Sequence, residues 1–259
     1  MLESNLRQGI ERNEFFIQYQ PLVATNDFHL VGMEALVRWQ HPALGLVHPK
    51  EFITLAEESG MIIQLGDWVL RTACAQSKAW QDAGLMPMRL SANFSARQFQ
   101  QPTFIADVGQ ILKETNLDPR WLELELTESS IMKDPEQAIE KLHELKLMGI
   151  KVAIDDFGTG YSSLNYLKRF PIDTLKIDKT FVADVCKHPH DRSIVRAIIN
   201  LGHALDLTVI AEGVETKEQL QYLSALECDV VQGFLFSKPL SKAAFEELLA
   251  EQTRVATVV

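Results

Sequence analysis

The feature that most constrains the fold is a regular alternation of short apolar stretches with longer segments of helical periodicity. Eight stretches rich in Val, Ile, Leu and Phe are candidate strands, at residues 15–20, 30–37, 88–93, 121–126, 151–155, 174–178, 208–212 and 229–234. The segments between them repeat apolar residues at helical spacing. Strands that alternate with helices indicate a parallel sheet, and eight such units predict a (β/α)₈ barrel of the TIM type, in the α/β class.

The first predicted strand departs from this pattern. Only a short polar turn at residues 24–28 joins it to the second strand, whereas a parallel crossover needs about a dozen residues or more. We therefore expect an antiparallel first strand in the barrel. We expect residues 1–14 to form an N-terminal helix or connector, 15–252 the barrel and 253–259 a C-terminal tail, with the last helix at 241–251.

Charge and composition limit the partners and the compartment. The 25 Lys and Arg against 35 Asp and Glu give a formal net charge of -10, without a basic run, so a nucleic-acid polymer is not an expected partner. No apolar run reaches the roughly 18 residues of a membrane span. The 3 cysteines are far apart, which favours reduced, buried thiols. We expect a cytoplasmic location for these residues. The same location is expected if they are a piece of a parent protein that is anchored in a membrane.

Polar residues stand at or near the ends of the predicted strands. In a barrel of this type the active site forms at the C-terminal ends of the strands, so such residues are site candidates. In strand order they are Glu34 and Arg38, Asn93, Glu125 and Glu128, Asp155 and Asp156, Lys176 and Asp178, Glu212 and Glu215, and Gln232. Taken singly, each is more often a helix cap or a solvated loop charge, and Glu128, Asp178 and Glu215 remain open to that interpretation.

The carboxylates as a set predict a cation site. Five or more carboxylates at one barrel mouth repel each other and take up protons unless cations neutralise them. The expected ligands are all oxygen donors, namely Glu34, Asn93, Glu125, Asp155, Asp156 and Glu212. Oxygen donors suit Mg²⁺ or Mn²⁺, and Ca²⁺ could also bind. Zinc with imidazole ligands is disfavoured, because the histidines lack metal-ligand spacing and we interpret all of them as structural.

Three other features belong to the predicted site. Lys176 lies within an apolar strand, where an unpaired ammonium is costly, so it should meet the carboxylates or a substrate phosphate, or form a buried salt bridge. Arg38 lies on the same strand face as Glu34 and is a candidate phosphate ligand or a rim ion pair. Gly158 and Gly160 allow the loop after the fifth predicted strand to turn sharply over the site.

Chemistry alone leads to a reaction class. Two divalent ions bridged by a carboxylate activate water and stabilise in-line displacement at phosphorus, and the adjacent Asp155 and Asp156 can supply the bridge and a further ligand. A metal-dependent phosphohydrolase is therefore the first hypothesis. A glycosidase, which needs only two acids and aromatic subsites, is the weaker alternative, because of the tryptophans only Trp39 stands near a strand end.

The motifs resemble those of the EAL domain family over essentially the whole chain. The signature E-A-L-V-R spans residues 34–38, and QYQP, NFSARQF, ELTES, IDDFGTGYSSL, LKID, AEGVE, QGF and FSKPL occur in the family order. The resemblance implies a barrel with an antiparallel first strand and a phosphodiesterase that opens cyclic di-GMP to linear pGpG. It implies two cations, Mg²⁺ or Mn²⁺, with Ca²⁺ as a candidate inhibitory ion.

The resemblance also implies roles for individual residues. Glu34, Asn93, Glu125 and Asp155 would hold the first cation, and Asp155, Asp156 and Glu212 the second, with Lys176 on the attacking water and Glu212 also considered as a general base. Arg38 would bind a phosphate. Gln20, Pro239, Asp178 and Gln232 would lie near the substrate, and Glu128, Glu215, Gly158 and Gly160 would support the site from outside.

Partners implied by the resemblance are cyclic di-GMP, a second copy of the chain and an upstream domain. The loop after the fifth predicted strand would form a homodimer contact, and residues 1–14 resemble a helix that follows a diguanylate cyclase (GGDEF) domain. Some family members lack ligands and only bind the nucleotide. A non-hydrolysing receptor is therefore the alternative, although the expected ligands are all present here.

Overall fold

The computed structural model describes residues 2–159 and 164–258 as one barrel surrounded by helices. The strands are β1 (Phe15–Ala24), β2 (Leu30–His41), β3 (Gly45–Val47), β4 (Arg89–Phe94), β5 (Leu122–Thr127), β6 (Lys151–Phe157), β7 (Thr174–Ile177), β8 (Thr208–Ala211) and β9 (Val230–Val231). The helices are α1 (Leu2–Glu11), α2 (Pro49–Ser59), α3 (Ile62–Asp82), α4 (Ala96–Phe99), α5 (Phe104–Thr115), α6 (Glu128–Ile131), α7 (Pro135–Leu147), α8 (Leu164–Leu167), α9 (Lys179–Ala183), α10 (Pro189–Ala204), α11 (Lys217–Ala225) and α12 (Lys242–Val258), with a 3₁₀ turn at Pro119–Trp121.

The sheet closes on itself, and the predicted barrel is confirmed. Its order is β1-β9-β8-β7-β6-β5-β4-β2-β3, and a further pairing of β1 with β2 closes the ring. Strand β1 is antiparallel to both β2 and β9, as expected from its short turn, while β2 and β4 to β9 run parallel. Closure brings the C-terminal ends of the parallel strands to one mouth.

Side chains that point outward from the barrel form the core with the surrounding helices. Phe15 stacks on Trp39 with ring centroids 5.2 Å apart, and both contact Phe52 of α2. Tyr19 packs on Trp80 of α3 and Phe245 of α12. Burial of such large side chains stabilises each by roughly 1.5–3 kcal/mol, so the helices are held firmly on the barrel.

Four details differ from the sequence prediction. Strands β1 and β2 extend further, to Ala24 and His41, and the three-residue β3 pairs with the end of β2. The last strand ends at Val231 rather than 234, because the backbone beyond it hydrogen-bonds to Val214. A Cβ on Gly233 would lie 2.1 Å from the Val214 carbonyl oxygen, so only glycine fits this approach. The last helix continues to Val258.

Helix α1 packs on the end of β2. Leu6 is buried, and the side chain of Asn5 lies 3.2 Å from the His41 ring. The indole of Trp39 donates a hydrogen bond to Glu14, just after the helix. The boundaries expected at residues 14 and 252 stay a prediction. Within the described residues, no helix combines the length and the apolar character that crossing a membrane requires.

Candidate active site

Polar side chains fill the barrel interior in two layers. Residues paired in the register of a sheet point to the same face, so Glu34 points into the barrel with Ser91, and Asn93 with Glu125. The upper polar layer, nearer the C-terminal ends of the strands, comprises Glu34, Asn93, Glu125, Asp155, Lys176, Glu212 and Gln232. The lower polar layer comprises Arg89, Ser91, Glu123 and Thr174. The upper layer contains every expected cation ligand except Asp156, which adjoins it.

A β-bulge explains how two adjacent aspartates reach one site. Neighbouring residues in a regular strand point to opposite faces. The β6–β7 register advances three residues on β6, from Ile154 to Phe157, against two on β7, and Asp156 has the left-handed φ of 53°. The extra residue redirects the side chain. As a result, one carboxylate oxygen from each of Asp155, Asp156 and Glu212 lies within 4.8 Å of the others.

Lys176 lies at the centre of the upper layer, with a side chain that is 0% exposed. Its Nζ lies 2.6 Å from Glu212, 2.7 Å from Glu125, 3.4 Å from Asp155 and 3.9 Å from Glu34. Burial opposes its charge, but the four carboxylates hold the pKa of Lys176 well above its ordinary value. Lys176 therefore meets the carboxylates, which also fits the alternative of a buried salt bridge, and its role in a reaction stays a prediction.

One ammonium does not satisfy the carboxylates around it. Burial, together with neighbouring carboxylates, raises the pKa of Glu125 well above its ordinary value. The same causes raise the pKa of Glu212 to about 8 and that of Asp156 to about 6. Within the described residues, Oε1 of Glu125 and Oδ1 of Asp155 are buried without a hydrogen bond. Buried oxygens without a hydrogen bond and excess negative charge fit one or more divalent cations.

Amide side chains hold Glu34 in place. Asn93 Nδ2 donates to one oxygen of Glu34 at 2.5 Å, and Gln232 Nε2 donates to the other at 2.6 Å. Gln232 Nε2 also lies 3.2 Å from Gln20 Oε1, and Gln20 Nε2 donates to the Ser237 carbonyl. Because Asn93 donates through its nitrogen, its amide oxygen remains available as a cation ligand.

A cavity of about 440 Å³ opens above the upper layer. The predicted site residues that line it are Gln20, Glu34, Arg38, Asp155, Glu212, Glu215, Gln232 and Pro239. Its lining also includes residues that the sequence analysis missed, namely Leu36, His48, Lys179, Gly213, Gly233 and Phe234. Lys179 follows Asp178 directly at the end of β7, so the strand-end rule applied one residue further would have found it. His48, interpreted as structural, also caps α2.

The remaining predicted residues lie around the site. Glu128 accepts a hydrogen bond from Gly158 N at 3.1 Å, and a Cβ on Gly158, with φ 98°, would lie 3.0 Å from Phe181. This contact holds the start of the loop after β6. Asp178 caps α9 by accepting from Thr180 N at 2.9 Å. Gly160 lies outside the described residues.

In the lower polar layer both oxygens of Glu123 accept hydrogen bonds, whereas Nε of Arg89 is buried without a partner among the described residues. Glu123, which is 0% exposed, accepts from Arg89 at 3.2 Å, Thr174 at 2.7 Å and Ser91 at 2.9 Å. Charged and neutral donors thus occupy both of its oxygens. The pattern of polar residues at strand ends does not reveal this layer, because Glu123 precedes the end of β5 by several residues.

Comparisons with known proteins agree with this geometry. A family model described as EAL domain matches residues 3–239. MucR of Pseudomonas aeruginosa, named a bifunctional diguanylate cyclase/cyclic di-GMP phosphodiesterase, is 44% identical over 95% of this chain and 36% of its own length. The cyclic di-GMP phosphodiesterase PdeR of Escherichia coli is 43% identical over 95% of this chain and 37% of its own.

A solved structure named as the PaMucR phosphodiesterase in complex with c-di-GMP superposes with a TM-score of 0.91. It is 42% identical and covers 93% of this chain and 98% of that one. The chain spans about a third of the length of the curated relatives it matches. The family match and the relatives above 40% identity show that the chain belongs to the EAL domain family.

Proposed function

We propose that this chain hydrolyses cyclic di-GMP to linear pGpG in a reaction that depends on divalent cations. The observation that carries the proposal is the upper polar layer, where buried carboxylates outnumber the single ammonium at the floor of an open cavity. The names of MucR and PdeR and the nucleotide in the PaMucR complex support the choice of substrate.

Two sets of residues would hold the cations. Glu34, Asn93, Glu125 and Asp155 form the first set, and Asp155, Asp156 and Glu212 the second, so that Asp155 is shared. The close approach of the Asp155, Asp156 and Glu212 oxygens supports the second set. When bound, such cations supply an activated water and neutralise charge that develops at phosphorus. The specific ions proposed are Mg²⁺ or Mn²⁺, and Ca²⁺ would inhibit.

The protein residues prepare the site for that water. Lys176 fixes the side chains of Glu125 and Glu212 by hydrogen bonds and, as a protonated donor, would orient the attacking water. Glu212 was considered both as a ligand and as a general base, and its closeness to Asp155 and Asp156 favours the ligand role. In the reaction, the water oxygen bonds to phosphorus, one ester P–O bond breaks, and the leaving oxygen takes a proton.

Other residues of the cavity would bind the nucleotide. Arg38 would donate hydrogen bonds to a phosphate, and Gln20 and Pro239 would lie near a guanine. Gln232 keeps Glu34 oriented, and Asp178 would act near the substrate through its contact with Asp156. Glu128 and Glu215 would support the site from its edge.

Three finer proposals accompany this function. The loop after β6, part of which lies outside the described residues, would contribute to a homodimer. A sensory or GGDEF domain would precede the chain in its parent protein, since the curated relatives are about three times longer. A cytoplasmic location is supported by the free thiols of Cys74, Cys186 and Cys228, of which Cys74 and Cys228 are buried.

A chromatographic assay tests the proposal. The chain is incubated with cyclic di-GMP and Mg²⁺ or Mn²⁺, and in parallel with EDTA, and the nucleotides are separated. We expect pGpG to form with the cations and to be lost with EDTA. Binding of the nucleotide without any pGpG would support the non-hydrolysing receptor instead, and turnover that survives EDTA would contradict cation dependence.

A further inference from the structure

Gln18 lies beside Arg38 on the interior face of the barrel. In the β1–β2 register Gln18 pairs with Leu36, and Arg38 pairs with Phe16, so the two polar residues are diagonal neighbours on the same face. Both are half-buried. This part of β2 continues above the upper polar layer, and Arg38 lines the cavity there.

Two neutral acceptors fix the guanidinium of Arg38. Its Nε donates to Gln18 Oε1 at 2.8 Å, and its Nη1 donates to the Val37 carbonyl oxygen at 2.9 Å. A guanidinium is planar and carries five N–H donors, so contacts at Nε and Nη1 determine the orientation of the plane. The remaining donors are left for another acceptor.

The neutrality of these acceptors matters as much as their geometry. Among the described residues, no carboxylate lies within ion-pair distance of Arg38, whereas Arg89 in the lower polar layer is paired with Glu123. Burial lowers the pKa of Arg38, with Glu34 acting in the opposite direction, but an arginine stays charged in proteins. Arg38 is therefore oriented and keeps its full positive charge, which suits an anionic ligand.

We propose that Gln18 is a positioning residue that orients Arg38 for a substrate phosphate without neutralising it. The inference rests on the proposed function and adds a residue that contacts Arg38 rather than the reacting atoms. It makes two separate demands at position 18. The side chain must accept a hydrogen bond from Nε, and it must carry no charge.

Three variants test these demands in steady-state hydrolysis of cyclic di-GMP. Gln18→Leu keeps the size but removes the acceptor, so we expect kcat/KM to fall about tenfold, the effect of losing a hydrogen bond to a charged group. Gln18→Glu keeps an acceptor but pairs with Arg38, so KM should rise and depend less on salt. Gln40→Leu is the matched control, because Gln40 is an exposed glutamine on β2, the strand that carries Arg38. This change should leave kcat/KM within about twofold of the parent.

A double-mutant cycle that combines Gln18→Leu with Arg38→Ala separates a positioning role of Gln18 from a structural one. If Gln18 acts through Arg38, Gln18→Leu has no further effect on kcat/KM in the Arg38→Ala background. An equal loss in both backgrounds, or parent kcat/KM and KM in both Gln18 variants, would overturn the inference while the parent enzyme remained active. A parent chain without any hydrolysis would instead overturn the proposed function. Thermal unfolding of each variant confirms that folded protein is compared.

Discussion

The two polar layers of the barrel bury carboxylates in similar surroundings but treat them differently. In the lower layer both oxygens of Glu123 accept hydrogen bonds, and Arg89 supplies a matching charge. In the upper layer Glu125 and Asp155 each keep a buried oxygen without a hydrogen bond, and four carboxylates share Lys176. The carboxylate of the lower layer is thus paired on both oxygens, and the carboxylates of the upper layer outnumber the ammonium that they share. This difference supports a structural role for Glu123 and the proposed cation site in the upper layer.

The largest contrast should come from matched amides in the two layers. Asp155→Asn removes the carboxylate shared by both proposed cation sets, so we expect hydrolysis of cyclic di-GMP to fall by at least about a thousandfold. Glu123→Gln should leave kcat/KM, measured per folded molecule, within about twofold. Turnover by Asp155→Asn near the parent rate would refute the assignment of Asp155 as the shared ligand.

The free energy of unfolding should rank the same two variants in the opposite order from activity, with the larger loss in Glu123→Gln. Glu123→Gln leaves the Arg89 charge buried without its partner, which should lower the free energy of unfolding by about 3–5 kcal/mol in urea titrations. In EDTA, Asp155→Asn relieves repulsion and should raise the free energy of unfolding by about 1 kcal/mol.

A double change provides the control for the lower layer. Adding Arg89→Met to Glu123→Gln removes the unpaired charge and keeps an amide at position 123 for Ser91 and Thr174, so most of the loss in Glu123→Gln should be recovered. If the double variant is as unstable as the single one, the loss does not come from an unpaired charge, and our account of the lower layer is wrong.

Added Mn²⁺ should stabilise the lower-layer variant Glu123→Gln as much as the parent, and the upper-layer variant Asp155→Asn much less. At about a hundred times its dissociation constant, Mn²⁺ should raise the free energy of unfolding of the parent by about 2.7 kcal/mol. Glu123→Gln should show the same increase, and Asp155→Asn a much smaller one. Chemical denaturation with Mn²⁺ or with EDTA measures the difference, and equal increases in all three proteins would mean that the ion binds elsewhere.

A smaller effect than that of added cation is expected on the pH dependence of stability in EDTA. Burial raises the pKa of Glu212 from its ordinary 4.5 to about 8, so between these values the folded chain keeps a proton that the unfolded chain has released. The free energy of unfolding should therefore fall as pH rises, by about 1–2 kcal/mol from pH 6 to 8. Glu212→Gln should flatten this slope, and a parent stability that rises over this interval would contradict the assigned pKa shift.

The sequence predicted the barrel and most of the upper layer for physical reasons. Strand-to-helix alternation sets the sheet type, and the short turn after the first strand requires an antiparallel pair. Polar residues at strand ends necessarily meet at one mouth of a closed barrel. Glu34, Asn93, Glu125, Asp155 and Glu212 were found in this way.

Features that depend on register or on distant partners escaped the sequence analysis. The bulge at Asp156 and the early end of β9 arise from contacts with β7 and Val214, which lie far along the chain. Glu123 and Gln18 are polar residues within strands, and only the closed register reveals their partners Arg89 and Arg38. Local pattern identifies the face of a side chain but not what lies opposite it.

Counting bound cations tests the central claim most directly. Free Mn²⁺ is followed by electron paramagnetic resonance while the ion is added to the parent, to Asp155→Asn and to Glu123→Gln. We predict two Mn²⁺ per chain in the parent and in Glu123→Gln, and fewer than two in Asp155→Asn. A parent that binds no Mn²⁺, or an Asp155→Asn variant that binds it as the parent does, would contradict the claim that the upper polar layer is a cation site.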